Sequence, residues 1–455
     1  MFYDNIKYLS ITLLLLTNGL LAQERISTSD VDNLKEIFTD SEVEGHIRNF
    51  FMSTLNEGGL KDYYTNAIGG ALAIKTRQYK GFELGVKGIF TYRGFSSDLN
   101  QPDETTGDVS KWEHELYDIT DLDNFNDLDR LEELYLKYNF SKGYATYGKL
   151  AVEETPLLNE SDGRMKPFAF KGVWFQFNKN KHSINLSWLD RVSPRSTVEW
   201  FNFNEAIGLV NNGFQPNGEL ADYRDKTESK GIALLQYENK TKHANIKANH
   251  WYLDNIHHTS MLEMDLHYNF WKLGMQYAIQ IPDSFQKELA YEERYVQPEE
   301  NGQVLSAKLA YEPEDWHIGV AFTRAFDSGR FLFPKELGRD HFFTSIPRSR
   351  LEGFGDTEVL TFSGEYKFNR ERLRLGLDLT EVFGPRAGDV EFNKYNLDEY
   401  YQLNLRLHYE FIGFFQGLNF DVLFIHKENR NNSDPEIIFN TSNFDQFSVV
   451  ANYNF

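Results

Sequence analysis

Residues 444–455 read FDQFSVVANYNF, and their pattern is the strongest indication of the fold. Every second residue from Phe447 to Phe455 is apolar or aromatic, whereas the residues between them are mainly polar. A period of two is typical of a β-strand with one apolar face and one polar face. The end of the chain is therefore predicted to be a strand that separates an apolar from a polar environment.

The same alternation recurs along the chain after Ser41. Between residues 370 and 381, for example, four leucines at every second position alternate with charged and polar side chains. We predict eighteen such strands, near 42–53, 67–78, 81–92, 131–140, 143–151, 168–178, 182–191, 230–239, 243–253, 260–270, 272–281, 302–312, 315–325, 357–368, 370–381, 399–411, 417–426 and 444–455.

The connections between these segments alternate in length. Short turns such as 141–143 alternate with long loops such as 93–130, 152–167, 192–229 and 326–356. This alternation is typical of an up-and-down barrel, and segments of about ten residues suit tilted membrane strands. A soluble sandwich also alternates, but charged polar faces and aromatic strand ends favour a membrane barrel. We predict an all-β fold: an 18-stranded antiparallel transmembrane β-barrel with short periplasmic turns and long extracellular loops.

Residues 1–22 have the pattern of a secretory signal peptide. Lys7 precedes the apolar run YLSITLLLL, and Ala22 offers a small residue for cleavage. We predict a signal peptide at 1–22, a short periplasmic segment at 23–41 with a helix near 34–38, and the barrel at 42–455. The predicted location is the outer membrane of a Gram-negative cell.

The amino-acid composition argues against several functional classes. The 455-residue chain has no cysteine, which excludes disulfides, thiolate metal sites and cysteine catalysis. Its net charge of -21 argues against nucleic acid as a partner. No nucleophile–base motif is evident, so we predict no enzyme activity, no cofactor and no metal site. Residues 121–127 have oxygen-ligand spacing for calcium but lack the glycine of an EF-hand, and a solvated acidic loop is the preferred interpretation.

Barrels of this size enclose an aqueous channel. By alternation we assign a set of cations to the lumen as a basic wall: Arg48, Arg77, Lys87, Arg191, Arg372, Arg374 and Arg406. Two interpretations remain open for each of them. The cation either faces the solute, or pairs with a lumen carboxylate such as Glu133 or Asp378.

Three stretches resemble the OprD-like substrate-specific porins of Gram-negative outer membranes. They are residues 33–53 (NLKEIFTDSEVEGHIRNFFMS), 69–92 (GGALAIKTRQYKGFELGVKGIFTY) and 147–172 (YGKLAVEETPLLNESDGRMKPFAFKG). Residues 189–195 (LDRVSPR) and 329–356 are similar as well. The resemblance implies an 18-stranded barrel, a monomer or loose homotrimer, whose third and seventh loops narrow the pore and whose basic ladder guides solutes. One departure is Lys149, because the family usually has arginine there.

The third loop is the predicted site. An inward fold of 152–167 would bring Arg164 towards wall cations at the narrowest point, and we assign solute binding to Lys149, Ser161, Asp162, Arg164 and Lys171. Water is scarce in a constriction, so a fixed charge there is weakly screened. The alternative is that Arg164 pairs with Asp162 or Glu160 and only holds the loop.

The sequence therefore predicts an outer-membrane porin for passive diffusion of small hydrophilic solutes, with a preference for carboxylates. The other partners expected are outer-membrane lipid and lipopolysaccharide, and the barrel assembly machinery, for which the terminal Phe455 is a recognition element. The competing hypothesis is a periplasmic or surface all-β carbohydrate-binding protein or hydrolase, which would need paired carboxylates in a groove.

Overall fold

The computed structural model describes residues 34–152, 155–159, 161, 163–368 and 372–455. A short helix, Leu34–Thr39, precedes the sheet and confirms the predicted helix. The strands are β1 (Glu42–Asn56), β2 (Tyr63–Lys75), β3 (Phe82–Ser96), β4 (Arg130–Phe140), β5 (Gly143–Leu150), β6 (Ala169–Lys179), β7 (His182–Ser193), β8 (Phe201–Asn202), β9 (Ile232–Lys240), β10 (Ala244–Leu253), β11 (His257–Tyr268), β12 (Trp271–Pro282), β13 (Gln303–Tyr311), β14 (Trp316–Ala325), β15 (Thr357–Phe368), β16 (Leu373–Phe383), β17 (Tyr400–Glu410), β18 (Leu418–Asn429) and β19 (Phe444–Asn454).

Eighteen long strands close into an antiparallel barrel. Each strand pairs with its neighbours in the chain, and β1 closes the sheet by pairing with β19, where Phe50 lies opposite Val450. The two-residue β8 pairs only with the end of β7, and β7 itself continues to β9. The predicted fold is confirmed. Closure leaves no unpaired sheet edge, which is what a strand structure inside a lipid bilayer requires.

The predicted strand boundaries differ from the structure mainly at the loop ends. β2 begins at Tyr63 and ends at Lys75, four and three residues earlier than predicted, and β18 continues to Asn429. Apolar–polar alternation is weak there because outward side chains beyond the apolar band face water. Pairing of the backbone continues past that band, and periodicity in the sequence does not report it.

The outer surface of the barrel is apolar. On β16, Leu375, Leu377 and Leu379 are each more than 40% exposed, and similar rows of exposed apolar side chains occur on the other wall strands. The helices in the described ranges are all too short or too polar to cross a membrane. Residues 1–33, which include the predicted signal peptide, lie outside the described residues, so that assignment stays a prediction.

The long loops fold back over the lumen and build two hydrophobic cores. The larger core joins Leu157 of the third loop, Phe203 of the fourth and Phe331 of the seventh to inward residues of the wall. The smaller core packs Leu116 of the second loop and Met165 of the third loop against β1 and β2. Burial of these apolar side chains holds the loops inside the barrel.

The carboxyl terminus forms part of the barrel seam. The backbone N–H of Phe455 donates to the carbonyl oxygen of Gly45 at 3.0 Å, and its own carbonyl oxygen accepts from the N–H of Gly45 at 2.9 Å. We predict that deleting Phe455 impairs assembly, because two seam hydrogen bonds of about 1 kcal/mol each are lost with the ring. Outer-membrane levels and heat-modifiability on gels measure the effect. Phe455→Ala, which keeps the backbone bonds, separates the two contributions, and normal assembly of the deletion would contradict the prediction.

Candidate pore constriction

Cations from four loops meet inside the barrel. We call them the basic cluster, and its members are Lys111 of the second loop, Arg164 of the third, Arg195 of the fourth, and Arg339, Arg348 and Arg350 of the seventh. Their charges act on one another, since each lies within electrostatic range of other members. The cluster forms because packing of loop residues in the two hydrophobic cores holds these loops towards the barrel axis.

Glu115 is the carboxylate at the centre of the basic cluster. The guanidinium of Arg164 donates to its Oε2 through Nε at 3.0 Å and also through Nη2, and Nη2 of Arg195 lies 3.4 Å from the same oxygen. Burial opposes ionisation of Glu115, but the charges of Arg164 and then Arg195 outweigh it and hold the pKa of this carboxyl well below its usual range. Glu115 therefore stays ionised and ties the second, third and fourth loops together.

Arg164 is a tether between loops and wall. Its side chain is 1% exposed, and its backbone carbonyl accepts a hydrogen bond of 2.8 Å from Nη1 of Arg48 on β1. Nε of Arg48 in turn donates to Oδ1 of Asn452 on β19 at 2.7 Å. The third loop is thus fixed to the barrel seam. Among the described residues, the carboxylate that pairs with Arg164 is Glu115 of the second loop. Glu160 and Asp162, the partners of the pairing alternative, lie outside the described residues.

The arginines of the seventh loop form fewer polar contacts with described residues than Arg164 does. Nε of Arg348 donates to Oε1 of Gln446 at 2.6 Å, and its guanidinium carbon lies 5.0 Å from the ring centroid of Trp112. Arg339 donates to carbonyl oxygens of its own loop, including Ser349 at 3.1 Å. Arg350 is half-buried and makes no hydrogen bond or ion pair with any residue in the described ranges. Within those ranges, Glu115 is the one carboxylate that forms an ion pair with the basic cluster.

The structure separates the predicted constriction residues. Oγ of Ser161 accepts from Nη1 of Arg195 at 3.3 Å, so Ser161 and Arg164 lie at the cluster. Asp162 falls outside the described residues. Lys149 and Lys171 lie on the outward face of the wall, because the register pairs them with outward positions on neighbouring strands. This differs from the predicted lumen position.

Two cations of the predicted basic wall are held in ion pairs. Nζ of Lys87 lies 3.4 Å from Oε1 of Glu133, and Nε of Arg406 lies 3.0 Å from Oδ2 of Asp378. The pairing alternative thus holds for these two inward cations. Arg48 and Arg374 also face inward.

Three other predicted wall residues are placed differently. Arg77 follows the end of β2 and Arg372 precedes the start of β16, so both lie in periplasmic turns and not on strands. Arg191 faces outward, because Asp190 is an extra residue in β7 and shifts the alternation beyond it. The cations of the basic cluster therefore come from the loops and not from the wall strands.

The cluster residues that the sequence did not single out had a signal in the chain. Arg195 stands in the segment SPR, and Arg348 and Arg350 stand in PRSR, both inside long loops. Proline and serine next to arginine restrict the backbone and suit a fixed loop. Neither segment, however, indicates which loops meet in the folded protein.

A closed 18-stranded barrel with an apolar outer surface and inward-folded loops around a charged opening defines the porin class of barrel. Solved structures of that class superpose on the chain. OccAB2 of Acinetobacter baumannii matches with a TM-score of 0.72 and 14% identity, over 92% of this chain and 99% of that one. OccK9 (OpdG) of Pseudomonas aeruginosa matches with a TM-score of 0.70 and 13% identity, over 92% and 99%.

OpdO of Pseudomonas aeruginosa matches with a TM-score of 0.67 and 14% identity, over 93% of this chain and 99% of that one. These neighbours are OprD-family porins, and the likeness shows that the chain shares their fold, as the sequence resemblance implied. No family model and no curated protein matches the sequence.

Proposed function

We propose that the chain is an outer-membrane porin through which small hydrophilic solutes diffuse passively, with a preference for solutes that carry a carboxylate. The observation that carries the proposal is the basic cluster: six cations from four loops, with ion pairs to Glu115 alone among the described residues. Arginine binds carboxylates through two parallel hydrogen bonds, which suits this substrate class.

The cluster offers several weak binding positions instead of one tight site. Arg350 forms no hydrogen bond or ion pair with a described residue, and the only hydrogen bond from the Arg348 side chain to a described residue is donated by Nε. Arg195 shares the carboxylate of Glu115 with Arg164. A carboxylate can exchange between such groups without a large barrier, and conduction requires binding that is weak enough for release. The paired wall residues add little net charge. No covalent chemistry is assigned to the protein.

The proposed location follows from the outer surface. A belt of exposed leucine, phenylalanine and tryptophan side chains around a closed barrel is stable in lipid and prone to aggregation in water. A soluble carbohydrate-binding protein or hydrolase would not expose it. We further propose a monomer or loose homotrimer that is inserted by the barrel assembly machinery.

Single-channel recording of the purified protein in planar bilayers tests the proposal. In a salt gradient we expect a reversal potential that shows anion preference, and small dicarboxylates should block the current more strongly than uncharged solutes of equal size. A cation-selective channel without carboxylate block would refute the substrate preference. Recovery of the protein in the soluble periplasmic fraction would refute the porin itself.

A further inference from the structure

Three cations stand side by side on the outward face of the barrel. We call them the rim triad: Lys149 on β5, Lys171 on β6 and Arg191 on β7. They are direct register partners, with Lys149 opposite Lys171 and Lys171 opposite Arg191. Their outward direction follows from the adjacent residues, because successive side chains of a strand point to opposite faces. Leu150, Phe170 and Val192, each one position away from a triad residue, are buried in the larger core inside the barrel.

The rim triad lies at the upper boundary of the apolar band. The next outward row towards the periplasm consists of Tyr147, Val173 and Trp188, which are 58%, 45% and 38% exposed. Two residues along a strand span about 7 Å, so the cations stand just beyond the hydrocarbon-facing side chains. The strand ends here lead into the long loops.

An aromatic side chain marks the same level. Nζ of Lys149 lies 4.4 Å from the ring centroid of Trp200, and the indole N–H of Trp200 donates to the carbonyl oxygen of Leu131 at 3.2 Å. Tryptophan is enriched at membrane–water interfaces because its ring is amphipathic. The rim triad therefore stands at the height of the lipid headgroups.

The rim triad also lacks negative charge among the residues that the structure describes. None of its three side chains forms a hydrogen bond or ion pair with a residue in those ranges. Another outward cation near a loop end does: Arg324 pairs with Asp356 and with Glu358 at 3.4 Å. Like charges directly opposite on paired strands are unfavourable, so a neighbouring anion would stabilise the row.

We propose that the rim triad binds the phosphate groups of a phosphorylated glycolipid of the outer leaflet, of the lipopolysaccharide type. This inference rests on the outer-membrane location proposed above. A protein of net charge -21 repels anionic lipid as a whole, so contact with a phosphate headgroup needs a local basic site. The triad provides one, with Trp200 beside it to contact the sugar or the upper acyl chain.

Native mass spectrometry of the detergent-purified barrel tests the site with lipid A as the probe. The variant Lys149→Gln/Lys171→Gln/Arg191→Gln is expected to bind lipid A more than tenfold more weakly than the wild type, since each cation near a headgroup contributes appreciably. The matched control is Lys142→Gln/Lys179→Gln/Lys181→Gln. It removes three exposed cations from the periplasmic turns and ends of the same strands and should bind as the wild type does.

Lys171→Glu provides a second variant that should assemble well. The new carboxylate would stand between Lys149 and Arg191 and replace the external anion, so we expect a barrel at least as stable as the wild type that no longer retains lipid A. Equal retention of lipid A by the wild type and both triad variants would overturn the site. Equal retention of phosphatidylglycerol and lipid A by the wild type would overturn the glycolipid as the occupant.

Channel recordings keep this inference separate from the porin function. The rim triad faces away from the lumen, so the triple variant should retain the wild-type conductance and reversal potential. A changed reversal potential would show that these side chains reach the pore and would overturn their outward assignment. Loss of lipid binding with unchanged conduction supports the site.

Discussion

Replacing Arg348 and Arg350 together by glutamine is expected to lower the anion-to-cation permeability ratio about thirtyfold, because each charge at an effective dielectric constant near 20 contributes about 1 kcal/mol and about 1.4 kcal/mol corresponds to a factor of ten. Both side chains belong to the basic cluster, and neither forms an ion pair with a described residue. Their charge is therefore available to a passing anion. The reversal potential in a salt gradient measures the change, and block by small dicarboxylates should weaken in parallel.

Arg386→Gln is the matched control for this pair. Arg386 is an exposed arginine of the eighth loop, outside the basic cluster, and its removal should leave the reversal potential unchanged. The double variant keeps a hydrogen-bonding side chain at each position, so Gln446 and Trp112 retain polar and stacking neighbours. If the double variant conducts with the selectivity of the wild type, the basic cluster does not select the solute.

Replacing Glu115 by alanine should release the third loop. The guanidinium of Arg164 would remain buried without its carboxylate, and an uncompensated buried charge costs about 3–5 kcal/mol. We expect larger current fluctuations, and new protease cleavage within residues 152–167, while the barrel itself stays folded. Noise in single-channel traces and limited proteolysis measure the two effects. A quiet, protease-resistant channel would show that the hydrophobic cores alone hold the loop.

A double-mutant cycle isolates the ion pair. Glu115→Ala combined with Arg164→Ala removes both charges, so the double variant should be less perturbed than the sum of the two single variants.

The pH dependence of channel noise provides a further check on the ion pair of Glu115. The depressed pKa of Glu115 means that its contribution is fully present above the unfolded value of about 4.3 and is lost only as the pH falls through the lower native value. Channel noise in the wild type should thus be the same at pH 8 and pH 5.

The strands could be predicted because their cause is local. The leucines at 375, 377 and 379 alternate with polar neighbours because one side of β16 contacts lipid and the other side contacts the lumen, and that difference is written in consecutive residues. The alternating loop lengths indicated an up-and-down order, and an even number of strands followed. All eighteen long strands were predicted on this basis, and the helix predicted near 34–38 spans Leu34–Thr39.

The side of the wall occupied by a charged residue was harder to predict. Alternation assigned Arg191 to the lumen, but the extra residue Asp190 in β7 changes the parity beyond it. Lys149 and Lys171 face outward because they lie two positions from the outward residues Tyr147 and Val173 on the same strands. Charged side chains are tolerated there because the apolar band has ended at their level. A charged residue on the outward face is unfavourable only within the hydrocarbon, and the sequence does not mark where the hydrocarbon ends.

The strands, their antiparallel order and the apolar outer face could be inferred from the amino-acid sequence, because these features depend on residues next to one another in the chain. The partner of Arg164 and the position of the basic cluster became evident from the folded barrel. Glu115 precedes Arg164 by 49 residues and Arg195 by 80, and the three meet because barrel closure and the two hydrophobic cores bring separate loops together. Local periodicity carries no information about which loops converge, since that depends on the position of each strand around the closed sheet.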